Sequence, residues 1–591
     1  MTATAAYSDQ STTDVSASAT WTTSNATAAT VDAKGLVTAA ASGNSTVTAS
    51  WNNFSSAVAV TVGANVLTWH NDNQRSGLNA SEGILTAQNV NAQSFGKLFS
   101  YLVDGYVYAQ PLVVSDLNVN GSQHDVVFVV TENDSVYAFD GDQYGSGAPL
   151  WHVSLLQAGE TPITNGAIKP YQGITSTPAI DLTSNTIYVV STQVVAGQPG
   201  TFRLHALDLA TGAEKFGGPV TLSASVPGTN SDAVNGVVSL TTSCLQRAAL
   251  LVADGAVYIG FGSCHSGWLL AYDEQKLTPA GVFNMSPNLN GTGTFGGAGG
   301  VWMGGGGPAA DAGGNIYVTT GNGPYDGTSA FGDSVMKFNS QLQLLDHFTP
   351  YDWAFLNCKD TDLASGGLLL IPGTSLALAG GKSGKLYLAD TTNLGGMQAN
   401  DAGAAETLWF ESDLSPPYST SCTDSNTGQT YSTDINSYEI FGTAAFFNGS
   451  AYLGVTPTVA DVPASLRQFT LANGELTPGA TASENILLSS YGITPFISAA
   501  GITNGIVWMI DHGQPIQSAG TATAATLRAF AAGNLSQELY DSSQNSADTP
   551  GLGIKFSSPI VVNGKVYMAT GRDPVTATNP AGELDVYGLK N

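Results

Sequence analysis

The chain is short of charge. Of its 591 residues, 18 are Lys or Arg and 45 are Asp or Glu, so 11% are charged and the net charge is −27. Ordinary soluble domains carry roughly 25% charged residues. A surface of that sign repels a polyanion, which argues against nucleic acid as a partner. Long apolar runs are also missing. Nothing approaches the roughly 18 residues that a membrane helix needs, so no segment is expected to span a bilayer. The opening Met1-Thr2-Ala3-Thr4-Ala5 has neither a basic run nor an apolar one, so a signal peptide is not visible and the precursor is expected to start further upstream.

Several chemistries are excluded by missing motifs. The seven histidines, at 70, 124, 152, 205, 265, 347 and 512, have no zinc-like local spacing. Gly304 to Gly307 is not followed by Gly-Lys-Ser/Thr and a helix, so it makes no phosphate loop. There is no Gly-x-Ser-x-Gly elbow, and no Cys-x-x-Cys-His for an attached haem.

What is present is 42% hydrophobic residues, enough for a sizeable core, in a background of Thr, Ser, Asn and Gly. Sparse Lys in such a background points to an extracellular or periplasmic protein. Residues 1–63 are rich in Ala, Thr and Ser. Short strand-like runs at Ala19–Thr22, Leu36–Thr38, Thr46–Ala49 and Ala57–Val62 alternate with turn residues, which predicts a β-sandwich. Residues 64–94 are taken as a linker.

From residue 95 to 591 a three-part unit recurs: a small apolar strand, an aromatic strand, and an apolar strand ending in Asp or an equivalent. First strands start near Pro111, Thr177, Ala248, Gly306, Gly367, Gly442, Phe496 and Ser557. Second strands carry Phe128, Tyr188, Tyr258, Tyr317, Leu376, Tyr452, Trp508 and Tyr567, and third strands Phe139, Leu207, Tyr272, Phe338, Leu388, Phe469, Phe530 and Tyr587. Eight units, about 66 residues each over residues 65–591 and each completed by a fourth strand, predict an all-β fold: an eight-bladed β-propeller, assigned to 95–591, behind the N-terminal sandwich. The last unit reaches only its third strand. The spare run Lys97–Val103 is predicted to pair with Glu583–Leu589 as the missing outer strand and so remove the open edges.

Propeller topology sends the segment before a first strand, the end of a second and the start of a third to one face. By that rule Trp302, Asn322, Asp333, Asp360, Asp362 and Lys382 surround one channel mouth. Gln110, Gln172, Arg247, His265, Glu439, His512, Lys555 and Arg572 share the face.

Two resemblances add to this. Residues 1–63 resemble the bacterial Ig-like group 2 family at Trp21-Thr22-Thr23-Ser24-Asn25, Ala29-Thr30-Val31-Asp32, Lys34-Gly35-Leu36-Val37 and the closing Val58-Ala59-Val60-Thr61-Val62. Its usual first strand is not found, so the domain is expected to be truncated at its N-terminus. The propeller resembles the quinoprotein family in turns such as Ala206-Leu207-Asp208-Leu209-Ala210-Thr211-Gly212 leading to Phe216. That resemblance implies a site for pyrroloquinoline quinone and Ca²⁺. Trp302 would form the floor under the quinone and Asn322 a metal ligand. Asp360 or Asp362 would be the base that takes a hydroxyl proton, and Lys382 would bind the quinone oxygens. Asp333 is counted as a further cofactor contact. The physics agrees, with an aromatic face, a hard oxygen ligand, carboxylates and a cation in sequence order. The adjacent cysteines of many such dehydrogenases are absent here, and no glutamate can be assigned as a second metal ligand.

The expected function is oxidation of a small alcohol or sugar by a monomer. The alternative is a non-catalytic propeller that binds an extracellular protein or glycan surface. Four cysteines in an exported chain predict two disulfides. Cys244 and Cys264 lie equally far from a hairpin turn near residue 254, and Cys358 and Cys422 flank one blade on the channel face. The predicted pairs are Cys244–Cys264 and Cys358–Cys422.

Overall fold

The computed structural model describes residues 1–590 apart from 41–42, 165–167, 291–297, 411–416, 426, 459–465, 482–491, 517–521 and 577–579. Its regular elements are almost all strands. Among the described residues the one α-helix is Trp353–Lys359.

The N-terminal sandwich has more strands than the sequence pattern marks. Thr20–Thr23, Gly43–Trp51 and Phe54–Val62 form one antiparallel sheet; Thr4–Ala6 pairs with Thr12–Asp14, and Ala29–Val31 with Val37–Ala39. Val47, Ala28 and Ala29 are buried between them.

Beyond residue 95, eight sheets of four or five strands follow one another among the described residues, antiparallel except where Leu78–Asn79 joins the seventh in parallel. The first contains Leu112–Val119, Ser122–Val130, Ser135–Asp140 and Trp151–Ser154. The fourth contains Ala309–Ala310, Ile316–Thr319, Val335–Phe338 and Leu344–Phe348, and the fifth Leu368–Leu370, Leu376–Gly380, Lys385–Asp390 and Glu406–Trp409. The eighth takes its outer strand from the other end of the repeat region: Phe95–Val103 pairs with Gly582–Leu589, with Glu583 opposite Leu102 and Leu589 opposite Phe95. That is the pairing expected from the spare N-terminal strand.

The recurrent second-strand tyrosine has a physical role. It is buried in its sheet, and in every sheet that has it but the fourth its hydroxyl donates to a turn carbonyl of the next sheet, whereas Tyr317 donates to Asp311 Oδ2 at 2.9 Å. Tyr188 reaches Glu274 O at 2.8 Å, Tyr258 reaches Ser340 O at 3.0 Å, and Tyr452 reaches Ala532 O at 2.8 Å. Tyr567 of the eighth sheet reaches Gly141 O, beside the first, at 3.1 Å. The Asp-Thr-Gly turn behaves as its residues suggest. Asp208 Oδ1 accepts from the Ala210 N–H at 3.1 Å and the Thr211 hydroxyl at 2.9 Å. Gly212 has φ +71°, and a Cβ there would come within 2.7 Å of the Trp151 ring, so only glycine fits.

The segment taken as a linker packs against every sheet. Val66 bonds Val113 of the first sheet, and Leu67 O accepts from Ile180 N of the second. Asn73 Nδ2 donates to Val252 O of the third, and Asn73 O accepts from Ala310 N of the fourth. The carbonyls of Gln74, Ser76 and Gly77 accept from Leu370, Phe446 and Ile497 of the fifth, sixth and seventh, and Asn79 Nδ2 donates to Val561 O of the eighth. Arg75, fully buried, gives its donors to Pro308 O, Thr68 Oγ1, Trp69 O and Leu250 O.

Both disulfides form as predicted, Cys244–Cys264 with Cα atoms 4.5 Å apart and Cys358–Cys422 with Cα atoms 6.0 Å apart. Cys358 lies in the helix and Cys422 in a hairpin, Tyr418–Thr423 with Thr430–Ile435.

Candidate functional site

A cavity of about 620 Å³ opens among the loops that lead into and out of the strands. Trp302, Asn322, Asp360, Asp362 and Lys382 all line it, together with Arg247, His265, Lys555 and Phe556. A second cavity, about 740 Å³, lies in the N-terminal sandwich, but no Asp, Glu, Lys, Arg or His lines it. Chemistry therefore points to the first.

The loops are held by backbone bonds that fix the side chains. Gly321 N donates to Gly300 O at 3.0 Å, placing the end of the strand Ile316–Thr319 against the segment before the fourth sheet. A Cβ on Gly321 would stand 2.5 Å from Asp362 Oδ1 and 3.1 Å from Trp302 Nε1, so this glycine lets the indole and the carboxylate approach each other. Asn322 follows. Its backbone N–H donates to Asp362 Oδ1 at 2.9 Å, and its Nδ2 to Asp360 Oδ1 at 2.7 Å. Its Oδ1 is buried and has no hydrogen-bond partner among the described residues.

Lys382 completes the group. Its ammonium donates to Asp362 Oδ2 at 2.6 Å and lies 3.1 Å from Asp360 Oδ1. Burial opposes the charged ammonium, but Asp362 and Asp360 outweigh it and hold Lys382 above the usual lysine pKa. Burial raises the Asp360 carboxyl in spite of Lys382. Lys555 is lowered, by burial first and then by the Lys382 charge. Its ammonium lies 4.9 Å from the Phe556 ring centroid, within cation–π range. Trp302 and Phe556 have centroids 6.1 Å apart.

Asp333 lies behind this layer and does not line the cavity. It is fully buried with φ +47°, and its Oδ1 accepts from Leu363 N at 3.0 Å, which secures the loop carrying Asp362. Burial, with Asp362 nearby, raises its carboxyl well above the ordinary range. Of the wider set assigned to this face, Arg247, His265 and Lys555 reach the cavity. Gln110 instead accepts from His70 N at 2.9 Å, Gln172 donates to Cys244 O at 3.1 Å, and His512 bonds Ser557 O at 3.0 Å. Those three hold loops, and Glu439 and Arg572 stand off the lining. The sequence reading missed Tyr108, Ile168, Leu245 and Phe556. Phe556 adjoins Lys555 in sequence, and that pair is the one local signal that could have found it.

Residues 1–62 match the bacterial Ig-like domain (group 2) family. No curated protein matches the chain in sequence. Among solved structures, the quinohemoprotein alcohol dehydrogenase of Pseudomonas putida HK5 superposes with a TM-score of 0.55 at 16% identity, covering 89% of this chain and 80% of that one. The quinohemoprotein alcohol dehydrogenase of Comamonas testosteroni gives 0.54 at 16% identity with the same coverage. A europium-containing methanol dehydrogenase gives 0.52 at 14% identity over 89% of this chain and 98% of its own. At such identities the likeness is one of fold: this chain has the propeller-like architecture of those dehydrogenases.

Proposed function

We propose that the protein is an exported quinoprotein-type dehydrogenase, an eight-bladed propeller that oxidises a small alcohol or sugar with pyrroloquinoline quinone and a hard cation such as Ca²⁺. The observation that carries this reading is the convergence of Trp302, Asn322, Asp360, Asp362 and Lys382 on one cavity, although they are spread over 81 positions of sequence. Closure is supported by the strand Phe95–Val103 on the eighth sheet and by the Tyr567 bond to Gly141. Two disulfides support a place outside the cytoplasm, periplasmic or extracellular.

The residues fit the proposed groups. Asn322 Oδ1, without a hydrogen-bond partner among the described residues, and the neighbouring carboxylate of Asp360 are hard oxygen donors of the kind Ca²⁺ takes. The planar, polyanionic quinone suits an aromatic lining of Trp302 and Phe556 with three cations, Lys382, Lys555 and Arg247. When bound, the quinone supplies a two-electron acceptor and the cation polarises it.

The chain's own side chains divide the remaining work. Trp302 offers an aromatic surface that orients a flat ring. Lys382 places positive charge where a carbonyl oxygen gains electron density. Asp362 is the better candidate for the base. Its Oδ1 is fixed by the Asn322 N–H and its Oδ2 by Lys382, so it is oriented toward the cavity and held for a hydroxyl proton. Asp360, beside Asn322, is then left to the cation. Asp333 fixes the loop from behind.

Reconstitution with pyrroloquinoline quinone and Ca²⁺ tests the reading. Bound-quinone absorbance and reduction of an artificial dye by members of an alcohol and sugar panel are expected. No quinone uptake under metal-replete conditions would instead favour the binding propeller.

A further inference from the structure

We propose that Arg247 is a carboxylate-binding residue of the cavity, the anchor for an acid group on the molecule that fills it. The identity of that molecule rests on the quinoprotein reading; the anion chemistry does not.

Three arginines are buried among the described residues, Arg75, Arg247 and Arg467, and the surroundings of the first two differ. Arg75 distributes its donors over four carbonyls and a hydroxyl. Arg247 is 4% exposed and lines the cavity, and its Nη1 donates to Thr175 O at 2.7 Å. Its Nη2 has no hydrogen-bond partner among the described residues. No carboxylate pairs with it there either, whereas Arg203 is paired with Glu160, and Arg528 with Glu538 and Asp541.

The guanidinium is held in one orientation. The Tyr108 ring centroid lies 5.8 Å from its central carbon. On another side is Gly305, with φ +90°; a Cβ there would stand 2.8 Å from both terminal nitrogens, so glycine is what allows the backbone to lie against the group. Burial pulls the guanidinium down to about 10, which still leaves it charged at neutral pH. A buried charge without a counter-ion is costly. A planar fork with an unused donor, bordering a cavity, is matched by a carboxylate. In a chain with 18 basic residues and a net charge of −27, three of the basic residues line this one cavity. Two carboxylates, Asp360 and Asp362, line it as well and both face Lys382, which leaves a small excess of positive charge suited to an anionic occupant.

The acid group has two possible sources, the quinone itself or an acidic substrate. Calorimetry on the full chain separates them, with benzoate and its uncharged counterpart benzamide as probes beside pyrroloquinoline quinone. The parent is expected to bind benzoate at least tenfold more tightly than benzamide. Arg247→Met is expected to lose at least tenfold in benzoate affinity, about 1.4 kcal/mol, with Arg247→Lys in between. Should the methionine variant fail to fold, the lysine variant, which keeps the charge without the fork, must still lose several-fold. Equal binding of benzoate and benzamide by the parent, or unchanged benzoate affinity in a folded Arg247→Met, overturns the proposal. If quinone affinity falls in the same variant, the carboxylate is the quinone's. If it holds while benzoate binding is lost, the substrate is a hydroxy acid. Benzoate binding that depends on Arg247 in a protein that takes up no quinone keeps the anion site and removes the quinone reading. Quinone bound equally by parent and variant, with no benzoate binding, does the reverse.

Discussion

Individual side chains here are defined by what burial does to charge. Glu132 is fully buried, with its Oε1 accepting from Tyr106 N at 3.2 Å, and burial pushes its carboxyl up to about 9. The folded value lies above the unfolded one of about 4.3, so the native state keeps a proton that the unfolded chain has released. Stability from this group is therefore fully present below pH ~4 and declines as pH rises toward 9. Glu132→Gln keeps an acceptor for Tyr106 and removes the titration. Its melting temperature is expected to fall less than the parent's between pH 5 and pH 8; parallel curves would contradict the account. The identity of such residues was only partly legible in the sequence. Trp302, Asn322, Asp360, Asp362 and Lys382 line one cavity, as expected from the rule that strand ends in a propeller share a face, and that rule follows from chain direction alone. The same rule also selected Gln110, Gln172 and His512, which hold loops. A strand end fixes where a residue begins, while its side chain turns toward whichever unpaired carbonyl or N–H is nearest.

At the level of elements, the strands were legible because β-branched and aromatic residues alternate with Gly, Asn and Asp turns. The helix Trp353–Lys359 was not, since seven residues after Pro350 give less than two turns of periodicity. The segment from Asn65 to Glu82 escaped for a different reason. It has no regular pattern because each of its residues meets a different sheet, so it reads as a linker while acting as a tie across all eight. Arg75 is its centre. Arg75→Ala would leave the Pro308, Trp69 and Leu250 carbonyls without that donor, and a loss of at least about 3 kcal/mol is expected in urea unfolding. A loss below about 1 kcal/mol would mean that the tie is dispensable. The disulfide Cys244–Cys264 closes a loop with a sequence separation of 20 next to the cavity. Replacing both cysteines with Ser should cost about 2–4 kcal/mol, read by the same unfolding experiment. No change in midpoint would show that the bridge adds nothing.

Across the whole molecule, the two ends of the repeat region meet in one sheet, so the fold depends on residues near both. Removing residues 1–63 should leave the propeller cooperative in thermal unfolding. Removing residues 1–104 takes away Phe95–Val103 and the tie, and should abolish that transition; a folded monomer from the longer deletion would contradict closure. The pairing of Phe95–Val103 with Gly582–Leu589 was legible because a sheet left one strand short must cover its open edge. Whether the cavity is used was not, because cofactor affinity depends on how several side chains combine, and each has an ordinary structural role as well. The central claim is that this cavity holds a quinone between Trp302 and Lys382. Its most direct test is equilibrium dialysis of the parent, Trp302→Ala and Lys382→Ala against pyrroloquinoline quinone with Ca²⁺, with circular dichroism to confirm folding. The account predicts that the parent retains the quinone and that both variants, still folded, lose it at least tenfold, about 1.4 kcal/mol each. Retention by both folded variants equal to the parent's would contradict it.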